Sequence, residues 1–184
     1  MTKEQEHLFL KYFRITLFLL AVALNTICYM VGISYSWVIF LSGILLYMID
    51  GEMKDRLLRV VCGGTVGICC AAILLILITV LTPIIGRFLG YVLPLSAVIF
   101  PLIVLQPKAP HFLNNVAFAY LCCACISAAD FYAHFVQILI TFLVGSLVYN
   151  GIALILMRVC IRCAVQKKPV VLQEASMEGQ KDET

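Results

Sequence analysis

Between Arg59 and Arg87 the chain carries no charged side chain. An α-helix crosses the hydrocarbon core of a bilayer with about 20 apolar residues, and this interval, which opens VVCGGTVGICCAAILLILITVL, is longer than that. Inside a bilayer the backbone must satisfy its own donors and acceptors, so such a run is helical unless it closes into a barrel. No ten-residue segments of alternating polarity point to a barrel. Composition extends the conclusion to the whole chain. Charged residues make up 12% of the 184 and hydrophobic ones 63%, with a mean hydropathy of +1.05. Soluble domains carry about 25% charged residues, so this chain uses lipid as part of its solvent.

The hydropathy pattern predicts an all-α, polytopic membrane bundle of six transmembrane helices. The expected spans are 15–31, 35–49, 60–81, 84–105, 112–129 and 133–159, the second and fifth being short. They divide the chain into a cytoplasmic N-terminal segment, 1–14, a membrane domain, 15–160, and a basic and then disordered tail, 161–184. The connections, among them DGEMKDRLLR and QPKAPH, are too short to hold a soluble domain. The first span is expected to stay attached, because no small-x-small cleavage site follows it. In LNTIC, Ile27 stands where a lipoprotein box wants a small residue.

Lysine and arginine near span ends set orientation. With the N-terminus in the cytoplasm, the inner side receives Lys3, Lys11, Arg14, Lys54, Arg56, Arg59, Lys108, Arg158, Arg162, Lys167, Lys168 and Lys181. The outer side receives only Arg87. Six spans then leave both termini inside, and the flanking cations favour anionic headgroups.

Polar residues within so apolar a chain need individual reasons. Asp130 is the only carboxylate between Asp55 and Glu174. It precedes the sixth span, where it would cap the helix and suit its dipole. His134 follows one turn later. Arg87, also assigned to the outer end, would meet Asp130 at the same depth, so the three form a candidate solute or proton site. Asn25, Asn114, Asn115, Gln137 and Asn150 are candidates for a polar path or for hydrogen bonds between helices. Thr141 and Ser146 extend the polar thread of the sixth span. Gly63 with Gly67, and Gly86 with Gly90, have the four-residue spacing of close helix contacts, within one subunit or between subunits. Pro94 and Pro101 should bend the fourth span.

Nine cysteines lie at 28, 62, 69, 70, 122, 123, 125, 160 and 163. All but Cys28 fall in the bilayer or on the cytoplasmic side, where unpaired packing residues are expected. CCAC lacks other ligands at its depth, and CIRC lacks a second pair, so neither predicts a metal centre. The sequence has no phosphate-binding glycine loop, no HExxH, no nucleophile beside a base and no nucleic-acid module. No cofactor, metal, nucleic acid or enzymatic activity is therefore expected.

YSWVIFLSGILLY, GGTVG, GYVLPLSAVIF, SAADF and FLVGSLVYN follow one another in an order and spacing that resembles the bacterial inner-membrane proteins of domain-of-unknown-function family 1097. The resemblance covers roughly residues 15–160. It implies a compact multi-pass protein of the bacterial cytoplasmic membrane and carries no chemistry with it. The Pro94–Pro101 pair, the cysteines and the long basic ends depart from that family's pattern. A fainter similarity, to the membrane half of aromatic-acid exporters of the fusaric-acid-resistance type, implies efflux, although their large soluble domain has no counterpart here. The expected function is transport or channel-like passage of a small solute, with homo-oligomers and the lipid bilayer as partners. The alternative is a non-transporting scaffold or regulatory subunit.

Overall fold

A computed structural model describes residues 3–126, 131 and 133–166. Within these the protein is all-helical, with six helices: α1 (Lys3–Val31), α2 (Trp37–Met48), α3 (Met53–Ile85), α4 (Arg87–Val104), α5 (Asn115–Ile126) and α6 (Phe135–Gln166). Four of them, α1, α3, α4 and α6, are long and apolar enough to cross a membrane. The other two, α2 and α5, have 12 residues each. At 1.5 Å per residue α2 is about 18 Å long, against a hydrocarbon core of about 30 Å, and α5 is described only as far as Ile126.

The chain divides into two compact units, Met1–Leu24 with Gly151–Thr184, and Asn25–Asn150. In the first, Phe9 stacks on Phe13 with centroids 5.6 Å apart. The Cys160 thiol lies 3.8 Å from the Thr16 hydroxyl, and Ala153 and Cys160 are buried.

Glycines set the packing of the second unit. Gly63 abuts the Asn114 side chain, Gly64 the ring of Phe142, and Gly67 the backbone of Ala117. A Cβ at any of the three would collide, so the GGTVG face of α3 is consumed within the subunit. Residue numbers on α3 and α5 rise together along this contact, which makes the two helices parallel. Gly43 meets Tyr149 and Gly145 meets Ile39, so α2 runs parallel to α6. Gly64 lies at Phe142, whereas Ala72 and Ile76 lie beside residues 133–141; α3 is thus antiparallel to α6. Tyr120, fully buried, donates its hydroxyl to the Val38 carbonyl and meets Phe142 edge to face, with centroids 4.9 Å apart.

The third and fourth spans meet later in the chain than expected. α3 continues through Thr82 and Pro83 to Ile85, and the reversal is confined to Gly86 at φ 86° and ψ 161°. Proline removes one donor from the last turn of α3 and leaves the rest of that turn in place; glycine supplies the positive φ that ends it. Gly86 and Gly90 accordingly do not share a packing face. Gly86 is open, while Gly90 sits against the Thr82 backbone and draws α4 onto α3. Pro94 and Pro101 both lie inside α4, with Pro94 buried. Beyond Gly67, α3 extends roughly 27 Å to Ile85, whereas α5 extends roughly 13 Å past Ala117 to Ile126. The α3–α4 hairpin tip therefore reaches about 14 Å further than Ile126, the last described residue of α5.

Candidate functional site

An open cavity of about 800 Å³ lies between α3 and the start of α6. Ala72 and Ile76 form its α3 side. Its other side includes His134, the residue before α6, and Gln137 and Thr141 on α6, the latter two four apart and so on one helical face. The imidazole of His134 also lies against Tyr35, with ring centroids 5.7 Å apart. The remaining wall is apolar, with Val136, Ile140 and Ile76 exposed. Among the described residues, no carboxylate, lysine or arginine lines the cavity. The polar groups that line it among the described residues are an amide, a hydroxyl and an imidazole.

The depth of this cavity follows from α3. Ala72 is 13 residues from Arg59 and Ile76 is 11 from Arg87, so the cavity lies roughly 16–20 Å along the helix from either charge.

The polar thread of α6 splits in two. Gln137 and Thr141 face the cavity, while Ser146 and Asn150 are fully buried. The Asn150 amide donates to the Ser42 hydroxyl at 3.4 Å, and Ser42 donates to the Ile39 carbonyl at 2.6 Å. Asn150 Oδ1 has no partner. This seam joins α2 to α6.

The other expected site residues have separate places. Asn25 accepts from the Ser36 hydroxyl at 3.1 Å, bridging the turn from α1 to α2. Asn114 caps α5, its Oδ1 accepting from the backbone N–H groups of Val116 and Ala117 at 2.9 and 3.2 Å. Its Nδ2 lies within bonding distance of the Arg59, Pro110 and His111 carbonyls. Asn115 lines a smaller cavity of about 200 Å³ with Gln106 and Leu102. Arg87 opens α4 at the hairpin tip, exposed. Asp130 lies outside the described residues, and so does its pairing with Arg87.

One cluster was not expected from the sequence. Asp55 pairs with Arg59 at 2.9 Å one turn along α3, and its other oxygen lies 3.6 Å from His111 Nδ1, in the α4–α5 connection. The i,i+4 spacing of Asp55 and Arg59 is visible in KDRLLR; the approach of His111 to Asp55 from 56 residues away has no local signal.

The nine cysteines are free thiols, with Cys28 and Cys160 buried and Cys122 and Cys163 exposed. No group of three or more potential metal ligands occurs among the described residues. Comparison of the chain with family models, curated proteins and solved structures finds no match to any of them.

Proposed function

We propose that this protein is a multi-pass carrier or channel-like protein of the bacterial cytoplasmic membrane, a relative of domain-of-unknown-function family 1097, that passes a small solute through the cavity at His134, Gln137 and Thr141. The observation that carries the reading is the cavity itself: three convergent polar side chains in an apolar wall, far along α3 from any charge. Apolar pockets with a few placed polar groups are where proteins bind small molecules. Six membrane passages with both termini in the cytoplasm are consistent with the alternating directions of α3, α5 and α6. The scaffold alternative would want a small-residue face turned outward, and Gly63, Gly64 and Gly67 are all turned inward.

The test is flux. The purified full chain in liposomes, screened against small radiolabelled neutral and weakly acidic solutes, should carry at least one above protein-free vesicles. Gln137→Leu with Thr141→Val should abolish that flux while the variant stays monodisperse. A wild-type rate in the double variant removes the cavity from the pathway, and a blank screen favours the scaffold.

A further inference from the structure

Resting on the reading of the cavity as the solute site, we propose that this cavity is one of two, opened in turn at opposite ends of the bundle. A second conformation closes it and opens its counterpart, lined by Arg59, Cys62, Gly63 and Asn150. A repeat in the packing carries this. α2 begins at Trp37 and α5 at Asn115, 78 positions later. α2 buries Val38, Ile39, Ser42, Gly43 and Leu46; α5 buries Val116, Ala117, Tyr120, Leu121 and Ala124, each 78 positions on. The same shift relates the helices that follow. Gly67 of α3 meets Ala117 of α5, and Gly145 of α6 meets Ile39 of α2. Gly64 meets Phe142, its own counterpart. A residue that touches its own counterpart lies on a two-fold axis, and because α3 and α6 are antiparallel, the two halves are inverted. Between 36–71 and 114–149 the only identities are Val38 with Val116, Phe40 with Phe118, Val66 with Val144 and Gly67 with Gly145. The repeat therefore shows in contacts and not in the sequence. Many carriers are built from inverted repeats that rock against each other around a fixed site.

The two ends of this repeat are packed differently. Near the start of α3, Asn114 fills the space beside Gly63, its amide reaches the Arg59 carbonyl, and Asp55 pairs with Arg59 and approaches His111. The counterparts of Asn114, Arg59 and Gly63 are Ser36, Gln137 and Thr141. There Gln137 and Thr141 line the cavity, and Ser36 donates to Asn25 instead. Residues that precede an antiparallel crossing on each helix lie on opposite sides of it, so the shut end and the open end face opposite ways. In the topology proposed above, the open end faces outward. Exchanging the two ends needs no new fold: Ser36 closes on Gln137 and Thr141, and Asn114 leaves Gly63. Ser36 is smaller than Asn114 and Thr141 larger than Gly63, so the closing pairs fill similar space. Tyr35 already lies against His134, with ring centroids 5.7 Å apart, so closure there starts from an existing contact. At the other end, Arg59, Cys62, Gly63 and Asn150 are the counterparts of Gln137, Ile140, Thr141 and Ala72 of the cavity. Asn150 Oδ1, buried without a partner in the present conformation, gains water in the other.

The experiment traps the second conformation in the full chain, in phosphatidylethanolamine–phosphatidylglycerol nanodiscs. Ser36→Cys and Thr141→Cys are introduced together with Cys123→Ser, because Cys123 lines a cavity with Ser36. Mild oxidation should join positions 36 and 141, identified by mass spectrometry. N-ethylmaleimide labelling of the native Cys62 should then rise about ten-fold or more, the change expected when a minor conformation becomes the trapped one, and fall back on reduction. Asn114→Ala, which removes the contact at the far end, should speed the 36–141 cross-link about ten-fold, the loss of one or two net hydrogen bonds. Local loosening around Asn114 would not reach that pair. The cross-link and the Cys62 readout decide the matter even if Asn114→Ala does not fold. No cross-link, or a cross-link that leaves Cys62 labelling unchanged, overturns the proposal. So does a cross-linking rate unchanged in folded Asn114→Ala. Exchange without flux of any solute keeps the two conformations and retires transport. Flux that is lost in Gln137→Leu with Thr141→Val, without any cross-link, keeps transport and retires the exchange in favour of a fixed channel.

Discussion

At the scale of single residues, Asn114 shows how much one side chain connects. Its oxygen accepts the first free N–H groups of α5, and its nitrogen reaches the Arg59 carbonyl on α3. Both are possible because Gly63 leaves room for the amide. Asn114→Ala should lower stability by about 1–3 kcal/mol, combining a lost cap with a carbonyl left unpaired. Asn114→Asp should fall between the two, since it caps equally well and cannot donate. Chemical unfolding in mixed micelles measures both, and equal losses would show that the bond to Arg59 contributes nothing. The polarity of Asn114 within an apolar span was legible in the sequence, as a candidate for a polar path or for helix packing and not as a cap. The reach to Arg59 was not, because it depends on a contact 55 residues back along the chain. Asn150 is similar: its burial could be guessed from its apolar neighbours, but not that Ser42 would be its one partner.

At the scale of elements, the four-residue glycine spacing on α3 was readable, and its partner was not. Small-xxx-small spacing says that something approaches closely, and only the fold shows that α5 and α6 do. Two substitutions separate a packed glycine from a free one. Gly67→Ala drives a methyl into the Ala117 backbone, which cannot rotate away, and should cost about 1–3 kcal/mol. At Gly151 nothing lies within 4 Å of an added Cβ, so Gly151→Ala should be neutral, or stabilising by up to about 1 kcal/mol through reduced backbone freedom. Thermal unfolding in detergent reads both, and a neutral Gly67→Ala would mean that α5 can move away from α3. Span ends were harder to place than spans. Pro83 looks like a helix stop in the sequence, but the helix passes through it and ends at the residue whose backbone needs a positive φ. Hydropathy likewise marked 35–49 as a candidate without showing that its regular helix would be only 12 residues long.

At the scale of the whole molecule, composition alone pointed to a membrane class, because a 184-residue chain that is 63% hydrophobic has too little polar surface to cover its apolar surface in water. The cavity was only half legible. Gln137 and Thr141 stood out as an i,i+4 polar pair, but Ala72 and Ile76 opposite them are ordinary residues of an apolar helix, and nothing local marks them. Orientation offers the remaining prediction. Reporter fusions at Lys108 and after Thr184 should both be active in the cytoplasm, and one at Gly86 should be active outside. The charge distribution and the antiparallel course of α3 and α6 both support this, and a Gly86 reporter active in the cytoplasm would overturn it.

The one-residue reversal at Gly86 bears on how the chain is made. With no loop between α3 and α4, a ribosome delivers the two helices to the insertion machinery almost as one object. In the proposed topology, the one charge at the tip of this hairpin that must be moved across is the Arg87 guanidinium. On insertion scales an arginine costs about 2.5–3.5 kcal/mol at the membrane centre, and each leucine, isoleucine, phenylalanine or valine returns about 0.3–0.6 kcal/mol. The apolar residues of α3 outweigh that cost before α4 has been synthesised, and α4 can then fold down along a helix already in place.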